Sequence, residues 1–200
     1  MPAGIMVKSP SRRVSWYGKL PARGDFVGRG LPARWRSDWD GWLQSGLALA
    51  ATTLDAAALR ERLSTFAPWR YLALPTPGEI WCGIITASHD RVGRAFPLTL
   101  AERFNTLPSP GEGAARLASL LDAVAEGPEA LEAAIAALPP RPEQDFKPAE
   151  PWPQAPASLW WPLAAAHDVV ARPAAWPPEP ALLLELLGIQ PGSHQIASAE

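Results

Sequence analysis

From Trp35 onward, Trp39, Trp42, Leu43, Gly46 and Ala50 recur at spacings of three and four, which places them on one face of a helix entered at Pro32. On the other side Arg34/Asp38 and Arg36/Asp40 fall four apart, where opposite charges add modest support to a helix. A second, shorter helix is predicted from Asp55 as N-cap, turning Leu59 and Leu63 inward. The period then drops to two. Trp69 to Leu74 alternates like a strand, Thr76-Pro77-Gly78-Glu79 turns the chain, and Ile80 to Ala87 is a nearly continuous apolar run suited to a strand covered on both faces. Val14 to Leu20 reads as a short strand leading into the turn Pro21-Ala22-Arg23-Gly24-Asp25. Phe96 to Ala101 reads as another, with Pro97 confined to a strand start, an edge or a bulge because it has no N–H to give a ladder.

In the second half, Ser109, Pro110 and Glu112 form a capping box ahead of a helix that carries Leu117, Leu120, Leu121 and Val124 inward. Gly127 ends that helix, Pro128 starts the next, and Leu131, Ile135 and Leu138 define its apolar face up to Pro139-Pro140. Residues 139–156 hold seven prolines with scattered charge and are expected to form an extended linker, dispensable for folding, with Trp152 packing across the surface. Ser158 to Leu163 reads as a last strand. Trp160 and Trp161 would then point to opposite faces, one buried and the other a contact candidate. Pro180 to Leu187 reads as a last helix, closed by Gly188. The element order predicts a single-domain layered α/β sandwich with a mixed β-sheet flanked by helices, spanning residues 13–188, with residues 1–12 flexible and 189–200 disordered.

Composition narrows the function. A chain of 200 residues with 10 tryptophans and 24 prolines can bury a real core while proline limits the length of its helices. Net charge is −2, so no basic field draws the protein to nucleic acid, and no nucleic-acid partner is expected. Cys82 stands alone and the three histidines are scattered, which argues against an internal disulfide or a structural zinc site and fits a reducing compartment. No apolar run reads as a leader or a membrane span, so the expectation is a cytoplasmic protein without direct membrane insertion.

Catalysis finds little support in the residues. Cys82, His89 and Asp90 could be arranged as a thiol hydrolase, but Cys82 lies in the buried-looking strand, where cysteine usually acts as a small hydrophobe. His167-Asp168 has no nucleophile partner in a G-x-S-x-G context, and Gly28-Arg29-Gly30 lacks the rest of a dinucleotide fingerprint. The Arg23-Gly24-Asp25 triplet matches an adhesion tripeptide that a cytoplasmic protein has no occasion to use. The expectation is a non-enzyme with no cofactor and no metal.

Two segments carry a family signature. One runs Trp16-Tyr17-Gly18-Lys19-Leu20-Pro21-Ala22-Arg23-Gly24-Asp25-Phe26-Val27 and continues to Leu31-Pro32 and Trp39-Asp40-Gly41-Trp42-Leu43. The other is Asp90-Arg91-Val92-Gly93-Arg94 followed by Phe96-Pro97-Leu98-Thr99. In this order and spacing the chain resembles the TagF (ImpM) family of type VI secretion accessory proteins over residues 14–104, and Ser158-Leu159-Trp160-Trp161 with the last helix resembles the family's C-terminal portion. The resemblance implies a compact α/β sandwich that holds the secretion apparatus off after translation. It also implies a link to the threonine-phosphorylation pathway and to a forkhead-associated-domain scaffold protein. A constitutive structural or assembly subunit of the secretion baseplate is the alternative.

Within the signature, Gly18, Gly24 and Gly93 are expected to shape the loops through positive φ or close backbone approach. Lys19, Arg23, Asp25, Asp90, Arg91 and Arg94 have two readings. Asp25 or Asp90 could pair with Arg91 or Arg94 and pin one loop to the other. Alternatively, the group forms a partner-binding surface on which Arg91 and Arg94 offer planar forks to a carboxylate or phosphate.

Overall fold

A computed structural model describes residues 14–105, 110–140, 153–165 and 169–190. The chain opens with a hairpin of β1 (Ser15–Gly18) and β2 (Val27–Arg29), then forms α1 (Ala33–Ala50) and α2 (Ala56–Thr65). A meander of β3 (Trp69–Leu74), β4 (Ile80–Thr86) and β5 (Leu98–Phe104) follows. Next come α3 (Pro110–Ala118), α4 (Leu121–Glu126) and α5 (Pro128–Ala137), a second hairpin of β6 (Ala157–Pro162) and β7 (Arg172–Ala175), and α6 (Pro180–Leu186).

The seven strands form one sheet in the order β2-β1-β5-β4-β3-β6-β7. This is the expected α/β class, but every pairing is antiparallel, so the expected mixed sheet is corrected. The reason lies in the connections. A parallel pair needs a crossover that returns to a neighbouring strand, whereas α1–α2 carry the chain from β2 to β3, and α3–α5 carry it from β5 to β6; neither pair is adjacent in the sheet.

One face of the sheet is aromatic. The α1 stripe of Trp35, Trp39, Trp42, Leu43, Gly46 and Ala50 is buried as its spacing predicts. It packs with Tyr71, Trp81, Trp160, Trp176 and the leucines of α6 in one cluster. Trp39 lies 5.0 Å from Trp35, 4.9 Å from Trp42 and 5.1 Å from Tyr71 between ring centroids. Two glycines permit this density. A Cβ at Gly46 would sit 2.7 Å from Leu183, and one at Gly83 would lie 2.1 Å from Tyr71 Cζ, so the tyrosine ring occupies the space above the strand. Its hydroxyl is satisfied by Thr99 Oγ1 at 2.7 Å, and burial raises its pKa.

The opposite face carries Trp16, Ile84, Leu98 and Leu100 against Leu117, Val124 and Leu131 of α3, α4 and α5 and against Leu120 between the first two. β4 is buried along its whole length, the consequence of lying central in a sheet covered on both sides. Asp55 caps α2 as expected, accepting from the N–H groups of Ala57 and Ala58. Gly188, at φ +66°, closes α6, and the N–H of Ile189 reaches the Leu184 carbonyl at 2.8 Å.

Several expectations change. The helix expected to run to Gly127 divides into α3 and α4 around Ser119–Leu120. Trp160 and Trp161 do face opposite sides, but both are buried, Trp161 with Arg70 stacked 5.7 Å from its ring, so neither is a free contact. The pairs Arg34/Asp38 and Arg36/Asp40 do not form among the described residues; Asp40 instead accepts from Gln44 Nε2 at 2.6 Å and from Tyr17 Oη at 3.3 Å. Strands β2 and β7 were not foreseen. Ile189, expected in the disordered tail, is buried. The N-terminal segment 1–12, Ser109, residues 141–152 of the proline-rich stretch with Trp152, His167, Asp168 and residues 191–200 lie outside the described residues.

Candidate functional site

At the exit of β1 the chain makes a contact that only glycine allows. Gly18 sits at φ +148°, and a Cβ there would lie 2.6 Å from the Pro97 carbonyl and 2.8 Å from Leu98 Cα. The loop from Lys19 to Phe26 is thereby laid against the loop from Ser88 to Phe96. Backbone and hydroxyl bonds fasten them: Arg91 N–H donates to the Arg23 carbonyl at 2.9 Å, and Ser88 Oγ donates to the Lys19 carbonyl at 2.7 Å.

Asp90 is the centre of the junction and is fully buried. Its Oδ2 accepts from Lys19 Nζ at 3.0 Å and Arg94 Nε at 2.7 Å, while Oδ1 accepts from the N–H groups of Val92 at 3.1 Å and Arg94 at 2.9 Å. Burial by itself would raise the carboxyl's pKa, but these donors outweigh it and hold the group well below the usual carboxylate range. Arg94 extends the clasp by donating from Nη2 to the Gly24 carbonyl at 2.9 Å. Gly93, at φ +79°, makes the tight turn that brings the Arg94 N–H back onto Asp90.

The predicted site residues thus converge, but in different positions. Lys19 and Asp90 are buried under the surface, whereas Arg23, Asp25, Arg91 and Arg94 are exposed on it. Of the two possible clasp acids, Asp90 is the one used; Asp25 joins no ion pair among the described residues. The side chain of Arg91 likewise makes no hydrogen bond or ion pair among the described residues. Gly24 does not have a positive φ and a Cβ there would meet nothing, so its expected conformational role is corrected. Ala22 takes the left-handed conformation instead, at φ +69°.

Two apolar residues missed as site candidates share this surface. Phe26 is 44% exposed and Val92 67% exposed. Phe26 is fixed edge-on to Phe96 at 4.6 Å, stacks on Tyr17 at 6.0 Å and lies under Lys19 Nζ at 5.5 Å, so it is an exposed aromatic held in place. The available signal was a large apolar residue set directly beside charged ones, Phe26 after Asp25 and Val92 after Arg91.

Beside the two loops runs a groove of about 860 Å³, lined by Trp16, Tyr17, Arg23, Phe26 and Arg29 of the first hairpin, Arg36 of α1, and Pro128, Glu129 and Glu132 of α5. Arg23 pairs with Glu129 at 3.1 Å, Arg29 pairs with Glu132, and Trp16 Nε1 donates to Glu132 at 3.0 Å. These partners are more than 100 residues apart in sequence, which is why no local pattern announced them.

The residues of a thiol hydrolase differ in their access to solvent. Cys82 is buried, with its sulfur 2.6 Å from where a Cβ on Gly113 would stand, while His89 is exposed beside its bridge to Ala95. Among the described residues no group of His, Cys, Asp and Glu is arranged to hold a metal ion, and no helix is long and apolar enough to cross a membrane.

Residues 15–146 match the model of the TagF N-terminal domain, described as type VI secretion system-associated. The chain belongs to that family. The match begins at the first residue of β1 and includes both signature loops and α5 across the groove. Among solved structures, the crystal structure of PA0076 from Pseudomonas aeruginosa PAO1 is similar at 33% identity, with a TM-score of 0.65, over 89% of this chain and 96% of that one. No curated protein matches the chain significantly. This TagF-family protein continues its sheet past the matched region, since β6 and β7 join the same seven strands.

Proposed function

We propose that this TagF-family protein is a non-catalytic, cytoplasmic regulator that represses type VI secretion after translation by binding another component of the apparatus through the two-loop platform. The partner implied by the family resemblance is a forkhead-associated-domain scaffold protein of the threonine-phosphorylation pathway. The observation that carries this reading is the layering of the platform. A buried carboxylate pins both loops from beneath, and above it Arg91, Val92 and Phe26 are left exposed. Exposed arginine and aromatic side chains on a rigid support are the residues that dominate protein interfaces. Burial of Cys82, with His89 exposed, is in keeping with a protein that binds rather than catalyses.

Deleting the protein from a secretion-competent strain tests the sign: secretion rises if it represses, and falls away if it is a constitutive baseplate subunit. The platform itself is tested by Arg91→Ala, measured for capture of the scaffold protein. A loss of about 2 kcal/mol or more in binding, with unchanged melting temperature, is the expected result for a hot-spot arginine. Unchanged capture by Arg91→Ala, Val92→Asp and Phe26→Ala alike removes the platform from the reading.

A further inference from the structure

We infer that the groove between the β1–β2 hairpin and α5 receives an extended acidic segment of the protein partner, and that Glu129 and Glu132 hold its place in the free molecule. The inference rests on the regulatory-contact reading above and names the chemistry that the partner must bring. Three arginines line the groove, Arg23, Arg29 and Arg36, against the two glutamates, a local excess of positive charge on a chain whose net charge is −2. Arg36 has no ion-pair partner among the described residues. Arg23 and Arg29 already donate to carboxylates, which shows that a carboxylate fits at both positions.

The existing pairs are of the kind that exchange. Arg23 and Glu129 are 54% and 77% exposed, and Arg29 and Glu132 are 52% and 32% exposed. Ion pairs so open to water contribute little to stability and are screened by salt, so an incoming carboxylate can displace Glu129 from Arg23 at small cost, and can share Arg29 with Glu132, which also holds the Trp16 indole N–H. The glutamates also come from the first two turns of a helix that begins at Pro128, a rigid element that can stay in place while its side chains swing away. Within the lining, β2 is the edge strand of the sheet and Phe26 is an exposed aromatic, so an extended chain has both a backbone edge and an apolar anchor in the groove.

The test uses the full chain and a fluorescein-labelled polyglutamate peptide at low salt, with binding read by fluorescence anisotropy and folding followed by melting temperature. The wild type should bind the peptide, and the double change Glu129→Gln with Glu132→Gln should tighten binding by about threefold, the scale of removing exposed competing charges. The amide at position 132 keeps an acceptor for Trp16 Nε1, so the fold is expected to survive. Arg29→Ala with Arg36→Ala should weaken binding by about tenfold or more. Absence of polyglutamate binding to the wild type, or equal binding by the arginine double variant at unchanged melting temperature, overturns the inference. If polyglutamate fails to bind while Arg91→Ala still loses the scaffold, the groove falls and the regulatory contact stands. If the groove binds as expected but deletion abolishes secretion, the repressor reading falls instead.

Discussion

Trp39 and Asp90 are both completely shielded from solvent, yet the molecule compensates their burial by different means. Around Trp39 the gain is area: its ring meets five other aromatic rings between α1 and the sheet, and its indole N–H has no hydrogen-bond partner among the described residues. Around Asp90 there is little apolar contact to gain, and four directed hydrogen bonds replace the lost water. Area burial tolerates approximate geometry, whereas a buried carboxylate needs every donor in place. The aromatic face is therefore the source of stability, and the loop end is where shape is specified. The loop end also leaves Arg91, Val92 and Phe26 at the surface above the buried carboxylate.

The largest effect should come from breaking the aromatic side of this contrast. Trp39→Ala removes a fully buried ring from the middle of the cluster and should cost roughly 3–5 kcal/mol in chemical denaturation. A melting temperature equal to wild type would mean that the neighbouring tryptophans collapse into the space. Next comes Gly18→Ala, which introduces a Cβ against the Pro97 carbonyl at a positive φ. It should cost about 2 kcal/mol through backbone strain and steric displacement, and amide exchange should quicken first in the two loops. Uniform loosening of the whole sheet would contradict a local clasp.

Titration sharpens the comparison, because the loop end carries a strongly shifted carboxylate, Asp90. The folded-state pKa of Asp90 is depressed, so in acid the unfolded chain binds more protons than the folded one, and stability rises with pH there. The contribution is fully present above the ordinary aspartate value of about 3.9 and is lost as the pH falls through the folded value. Asp90→Asn should lower the melting temperature at neutral pH and reduce its dependence on pH below about 4. Identical acid curves for the variant and the wild type would show that another carboxylate governs acid unfolding.

The same contrast explains what the sequence revealed. The α1 stripe, the Asp55 cap, β3 and β4 were readable because each is encoded in a few consecutive residues whose period matches one face or one ladder. The antiparallel order of the sheet was not, since it depends on where α1–α2 and α3–α5 set the chain down. β2 and β7 escaped notice because Val27-Gly28-Arg29 and Arg172-Pro173-Ala174-Ala175 are short edge strands with little alternation to detect. At the site, the loop residues could be nominated but not ranked. Asp25 and Asp90 look alike in sequence, and only the turn at Gly93 decides which one receives the arginine.

The finest distinction lies within that turn, between two arginines three residues apart. Arg94 donates to Asp90 and to the Gly24 carbonyl, so it belongs to the clasp although most of its side chain is exposed. Arg91 contributes to the junction only through its backbone N–H, a bond that any non-proline residue supplies. Arg94→Ala should therefore lower the melting temperature and speed amide exchange in residues 19–25, because a buried carboxylate loses one of its charged partners. Arg91→Ala should leave stability within about 0.5 kcal/mol of wild type, as surface substitutions without partners do. The pair of variants separates support from contact at one loop: equal loss of stability in both would make Arg91 part of the clasp, and would leave Phe26 and Val92 as the exposed side chains through which the platform meets its partner.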